Sequence, residues 1–129
     1  MRLVPCTEEY WEFVRKLRTD GRTSDGFVQQ VEITTDQQRA YMSRHWQHYF
    51  IALVDEQAAG FVGSVEGDIR VCVHPNFQRR GVGKFLILEI VKKFPDAVAR
   101  VKIDNEASHA LFHSAGFAPV FTIYALKHS

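Results

Sequence analysis

The sequence predicts one α/β (α+β) domain, a mixed, mostly antiparallel sheet of about seven strands accompanied by about four helices. Three observations carry that prediction. Consecutive segments rich in β-branched and aromatic residues, Tyr49 to Asp55, Ala58 to Glu66 and Ile69 to Val73, follow one another with a turn signal at each junction. Amphipathic helical patterns stand before and after that block. The chain has 129 residues, 46% apolar and 12% aromatic, which suits a single domain, 1–129, with an ample core. No repeat, low-complexity tract or linker divides it.

Arg2 to Val4 reads as the opening strand. Thr7 is an N-cap for a helix carrying Tyr10, Trp11, Phe13, Val14 and Leu17, and Gly21 and Gly26 mark the loop beyond. Thr34 or Thr35 begins a second helix through Tyr41, Met42, His45 and Trp46. Glu56-Gln57 and Gly67-Asp68 supply the two hairpin turns of the central strands. A helix from Gly83 to Phe94 stops at Pro95, Ala99 to Ile103 is a strand, and Asp104 or Asn105 caps the last helix. Phe117 to Pro119 and Phe121 to Lys127 are the closing strands.

The junction after Val73 carries the chemistry. Gln78-Arg79-Arg80-Gly81-Val82-Gly83-Lys84 joins a strand to a helix, so the helix's unpartnered N–H groups, its dipole and three cationic side chains converge on one place. That is an anion cradle suited to phosphate. It is not a P-loop, because Phe85 follows Lys84 and only one residue separates the glycines. It is not a dinucleotide fingerprint either, since Leu86 stands where a third glycine belongs.

Q-x-x-G-x-G preceded by Val73-His74-Pro75 resembles the pyrophosphate loop of the GNAT superfamily of N-acetyltransferases, which bind acetyl-CoA. Asn105 to Phe117 is similar to the same superfamily's N-x-x-[AS]-x-x-[LF]-[YF]-x-x-x-G-F ending, with Gly116 suited to the left-handed position after the helix. The resemblance is closest over residues 57 to 120. It implies that strands 4 and 5 splay apart and that pantetheine lies between them, paired with the backbone of Val71, Cys72 and Val73. It also implies cofactor contacts at Gln78, Arg79, Arg80, Gly81, Val82, Gly83, Lys84, Asn105 and Phe112, with a side chain at Gly83 filling the phosphate seat. The Val73 amide would polarise the thioester carbonyl.

Acyl transfer to an amine also needs a base, and Asp68 and Glu66 lie near where relatives carry a catalytic glutamate, although a turn at Gly67-Asp68 accounts for Asp68 by itself. Phe112 stands where the family often has a tyrosine that protonates the leaving thiolate, and the adjacent His113 is turned away by a helical step. His45 and His48 are further candidates for the acceptor groove, and His74 positions the loop. The N-terminal half, with Phe13 to Asp20 and Ile33 to Trp46, resembles acetyltransferases of nucleotide-linked amino sugars, except that Thr19 replaces their frequent asparagine. Arg15, Arg18 and Arg22 would meet the nucleotide's phosphates. Protein or peptide N-acetylation, or a catalytically silent acyl-CoA-binding module, are the alternatives.

A net charge of +1 supplies no general attraction for nucleic acid or anionic membrane. Cys6 and Cys72 lack metal-ligand spacing and read as reduced, buried thiols of a cytoplasmic protein, with no metal expected. No stretch has the length of a signal core or membrane span. An exposed edge at the C-terminal strand implies a homodimer.

Overall fold

The computed structural model describes residues 1–20 and 33–127, so Gly21, Arg22 and Gly26 lie outside the described residues. Four strands, β1 (Arg2–Pro5), β2 (Tyr49–Val54), β3 (Gln57–Val65) and β4 (Asp68–Val73), form one antiparallel sheet in that order. Side chains alternate across it. Tyr49, Ile51, Phe61, Val65 and Cys72 pack with Val14, Leu17 and Met42 of helices α1 (Trp11–Thr19) and α2 (Thr35–His45). On the opposite face Ala52, Ala59, Val62 and Ile69 pack with Val82, Leu86, Ile87, Ile90 and Phe112 of α3 (Val82–Lys93) and α4 (Glu106–Ser114). The sheet is therefore covered on both sides, with β1 and β4 as its two edges.

Local chemistry fixes the helix starts. Thr34 Oγ1 accepts from the Gln37 N–H at 3.1 Å while Gln37 Oε1 accepts from the Thr34 N–H at 3.0 Å, a capping box that makes Thr34 rather than Thr35 the N-cap of α2. Thr7 makes no such bond. Its hydroxyl turns to the Glu9 carboxylate at 3.2 Å, and a 3-10 turn over Glu8–Tyr10 precedes α1, which begins at Trp11 rather than beside Thr7. α3 and the Asn105 cap of α4 fall within a residue of where the sequence put them.

The strand count is four among the described residues, not seven. Ala99 to Ile103, Phe117 to Pro119 and Phe121 to Lys127 carry no strand. A strand needs a neighbour to complete its ladder, and these segments have none. The chain after α3 touches β4 through one parallel rung, in which Val98 accepts from the Ile69 N–H and donates to Gly67 O, each at 2.8 Å. Beyond that rung the two segments part. In the C-terminal segment Val120, Phe121, Ile123, Tyr124 and Leu126 are 69% to 91% exposed, so no sheet receives them.

Candidate functional site

The loop after β4 is built to present backbone donors. His74 Nδ1 accepts from the Asn76 N–H at 3.1 Å, which holds the turn over Pro75–Phe77, and its ring stacks on Phe13 of α1 at 6.4 Å. Arg79 then adopts φ +65° and Gly81 φ +79° before α3 begins. A left-handed arginine costs on the order of 1 kcal/mol, so the loop is bent against its residue's preference. The first intrahelical bond of α3 runs from the Phe85 N–H to Gly81 O at 3.0 Å, which leaves the N–H groups of Val82, Gly83 and Lys84 without intrahelical acceptors. Arg79, Arg80 and Lys84 are exposed around them, and the Arg80 guanidinium lies 5.4 Å from the Phe77 ring centroid.

The two glycines of this loop do different work. A Cβ on Gly81 meets nothing within 4 Å, so this glycine serves backbone conformation and open approach. Gly83 is buried, and a Cβ there would stand 2.9 Å from Leu111 Cδ2 and 3.5 Å from Val73 Cγ2. The expectation that a side chain at Gly83 would fill the phosphate seat is corrected: a Cβ there points to the Leu111 side chain of α4, whose end must shift to admit it.

The cradle continues into the open edge of β4. Within a strand, alternate residues point their N–H and C=O groups to the same side. The Ile69 N–H points away from β3, to Val98, and the His74 N–H points toward β3, to Ala59 O at 2.8 Å. Val71 and Val73 share the parity of Ile69, so their N–H and C=O groups face the outer edge. Among the described residues no strand pairs with them there. Buried or half-buried backbone groups in that state call for an outside partner with strand-like geometry.

Asp68, Arg70 and Cys72 lie on the sheet face covered by α1 and α2. Arg70 Nη1 donates to Tyr41 Oη at 3.0 Å, and Tyr41 Oη lies 2.8 Å from Tyr49 Oη. Arg18 places its guanidinium 5.7 Å from the Tyr41 ring centroid, and the His45 ring lies 4.5 Å from the same ring. Burial, reinforced by the neighbouring Tyr41, raises the Tyr49 hydroxyl well above the ordinary phenol value. Asp68 holds Oδ2 at 4.0 Å from Arg70 Nε and has a buried Oδ1 with no hydrogen-bond partner among the described residues. Glu66 is exposed in the hairpin turn at φ +55°. Strand geometry puts Asp68 about 17 Å along β4 from Val73, and Glu66 farther.

The remaining candidates are dispersed. Arg15 is engaged by Glu12 and by Ile33 O, and Arg22 lies outside the described residues. Asn105 Oδ1 accepts from the Ser108 N–H at 3.1 Å as the cap of α4. Phe112 is buried edge-on against Phe117 at 5.2 Å, where it closes the end of α4. His48 and His113 are exposed, with His48 6.0 Å from Phe94. Cys6 and Cys72 are buried and form no disulfide, and burial pushes the Cys6 thiol up to about 12. Arg70 went unnoticed in the sequence. Its signal was there, an arginine inside the otherwise apolar run Ile69 to Val73.

Among the described residues no group of three or more His, Cys, Asp or Glu is placed to hold a metal ion, and no helix is long and apolar enough to cross a membrane. The family model described as Acetyltransferase (GNAT) family matches residues 8–117. A search of curated proteins by sequence finds no match. Among solved structures, spermidine N-acetyltransferase from Vibrio cholerae in complex with CoA and spermine superposes with a TM-score of 0.78 at 14% identity, over 91% of this chain and 80% of that one. AAC(6')-Iy in complex with the bisubstrate analogue CoA-S-monomethyl-acetylneamine gives 0.69 at 21% identity, over 99% and 98%. Ribosomal-protein-alanine N-acetyltransferase from Brucella melitensis gives 0.76 at 17% identity, over 90% and 83%. At these identities the likeness is one of fold.

Proposed function

The chain belongs to the GNAT family of acetyltransferases, and from that premise we propose that it moves an acetyl group from acetyl-CoA to a primary amine by direct attack within a ternary complex, with a nucleotide-linked amino sugar as acceptor. One observation carries the reading: an open strand edge at Val71 and Val73 runs straight into a helix N-terminus ringed by Arg79, Arg80 and Lys84. The residues fit the cofactor. Val82, Gly83 and Lys84 offer backbone N–H groups for the pyrophosphate, Gln78 and Gly81 shape the loop, and Val71 and Val73 offer a ladder for the pantetheine arm. Asn105 and Phe112 act from α4 by fixing the wall beside that arm.

Acetyl-CoA supplies the activated acyl group when bound. The Val73 N–H donates to the carbonyl oxygen on which negative charge grows, a contribution of about 3 kcal/mol in other acyl transfers. Cys72 sits in the core under α1 and α2, so the amine rather than a cysteine attacks. Of the two carboxylates, Asp68 is the one retained as base, because its buried Oδ1 awaits a donor while Glu66 is solvated. Its distance from Val73 requires the proton to travel through water. Phe112 has no proton to give, so solvent protonates the leaving thiolate. The exposed apolar side chains of Val120 to Leu126 support a homodimer, which sedimentation showing only monomer would sink.

The test is free-thiol release from acetyl-CoA with UDP- and TDP-linked 4-amino sugars, unlinked amino sugars, spermidine and N-terminal peptides. Release with a nucleotide sugar supports the reading. Release only with peptides moves the acceptor to protein, and binding of acetyl-CoA with no release from any amine leaves a silent module.

A further inference from the structure

Resting on the acetyl-transfer reading above, we infer that Arg70, with Arg18 across the Tyr41 ring, is the specificity element that binds a phosphate group of the acceptor, so that this site takes anionic amines and rejects polycations.

Arg70 is an anomaly in its strand. Its neighbours Ile69 and Cys72 are buried, and its own side chain is 37% exposed on the face that α1 and α2 cover. A half-buried guanidinium ordinarily sits against a carboxylate in a two-pronged hydrogen bond. Arg70 does not. It donates to neutral phenols, to Tyr41 Oη at 3.0 Å and to the Tyr49 hydroxyl, and the Asp68 Oδ2 carboxylate oxygen lies at 4.0 Å, beyond hydrogen-bond reach. Tyr41 in turn meets the Tyr49 hydroxyl, so the guanidinium is aimed by two phenols, and Asp68 attracts it only as a long ion pair without a hydrogen bond.

Arg18 adds a second cation at the same spot. Its guanidinium carbon lies 5.7 Å from the Tyr41 ring centroid, while its helix neighbour Arg15 is already taken by Glu12. Among the described residues, Arg70 and Arg18 stand against Asp68 alone in the contacts around the Tyr41 ring, an excess of positive charge that attracts a phosphate and opposes a polyamine. Position completes the argument. Arg70 stands three residues from Val73, about 10 Å along the strand, so an acceptor whose amine reaches the Val73 amide places a group one sugar ring away beside Arg70. A phosphate linked to that ring falls in this range. The Vibrio cholerae neighbour holds spermine, a polycation, so the charge of this patch is where the two acceptor sites are expected to part.

The experiment uses the protein saturated with CoA, so that the cradle is filled, and titrates UDP, inorganic pyrophosphate and spermidine by calorimetry against wild type, Arg70→Gln and Arg18→Gln. UDP and pyrophosphate should bind the wild type and lose about tenfold or more in affinity in Arg70→Gln, with a smaller loss in Arg18→Gln. CoA affinity should hold, and Tm should fall in Arg70→Gln by no more than loss of its hydrogen bond to Tyr41 accounts for. Pyrophosphate binding alone, without added strength from UDP, would mean that phosphate is read and the nucleoside is not. Equal affinity in wild type and Arg70→Gln, or tighter binding of spermidine than of UDP, overturns the inference. If Arg70→Gln fails to fold, Arg18→Gln and Arg70→Lys decide it, since the lysine keeps the charge and should keep the phosphate. Failure of CoA itself to bind would sink the acetyl-transfer reading, while failure of the CoA-loaded wild type to bind UDP or pyrophosphate sinks only this one.

Discussion

Leu111 Cδ2 lies 2.9 Å from the point a Cβ on Gly83 would occupy, so the side chain of α4 rests on the bare backbone of α3. The contact sets how closely the two helices approach beside the cradle.

Gly83→Ala should therefore lower stability by about 1 kcal/mol, since the end of the flexible Leu111 side chain has to shift, seen as a lower Tm and a lower urea midpoint. Gly81→Ala meets no neighbour and pays only for its positive φ, so its loss should be about 1 kcal/mol. Equal and negligible losses at both positions would contradict the helix contact.

Val73→Pro separates the amide from the side chain. The Val73 N–H faces the outer edge, so proline removes it without taking a rung from the β3–β4 ladder. Against Val73→Ala as the control for side-chain packing, kcat should fall about 100-fold or more while acetyl-CoA still binds. A proline variant as active as the alanine variant would remove the oxyanion role from this amide.

Tyr41→Phe takes away the hydroxyl that Arg70 and the buried Tyr49 share. A stability loss of about 1 kcal/mol is expected, and Tyr41→Phe with Tyr49→Phe should lose less than the two single changes added together. Strict additivity in chemical denaturation would mean that the phenols do not interact.

Stability should decline in alkali. Burial holds the Cys6 thiol at about 12 against its ordinary 9.0, and burial first, with Tyr41 second, raises Tyr49 above its ordinary 10.0. Above pH 9.0 the unfolded chain gives up protons that the folded chain keeps, so the unfolded state gains and the folded state loses ground as pH rises. Urea midpoints measured from about pH 8 to about pH 10.5 should fall, less steeply in Cys6→Ala. A flat profile would contradict the burial of both groups.

The central hairpins, α3, the cradle and the Asn105 cap were legible because each is written locally, in turn residues, capping side chains and apolar period. The capping box of Thr34 and Gln37 was legible too and went unread. The three missing strands were not legible, because Ala99 to Ile103 and Phe121 to Lys127 have strand composition but a strand also requires a partner, and partnership is a tertiary fact. The same holds within the site. Arginines on α1 drew the eye by their number, yet Glu12 occupies Arg15, and the arginine that α2 aims, Arg70, was hidden inside a strand. Asp68 and Glu66 looked close to the chemistry by motif, but six residues of extended chain carry Asp68 to the far end of β4 from Val73.

The rung at Val98 works as the stop of a zip fastener. Two hydrogen bonds close the teeth at Ile69, and every tooth from there to Val73 stays undone, a free length of about 13 Å. One more closed pair, toward Val71, would shorten the undone length by about 7 Å, since parallel rungs advance two residues at a time. The reach of any arm laid along this edge is thus metered by where a single valine pairs, and moving that stop would change what length of molecule the edge can measure.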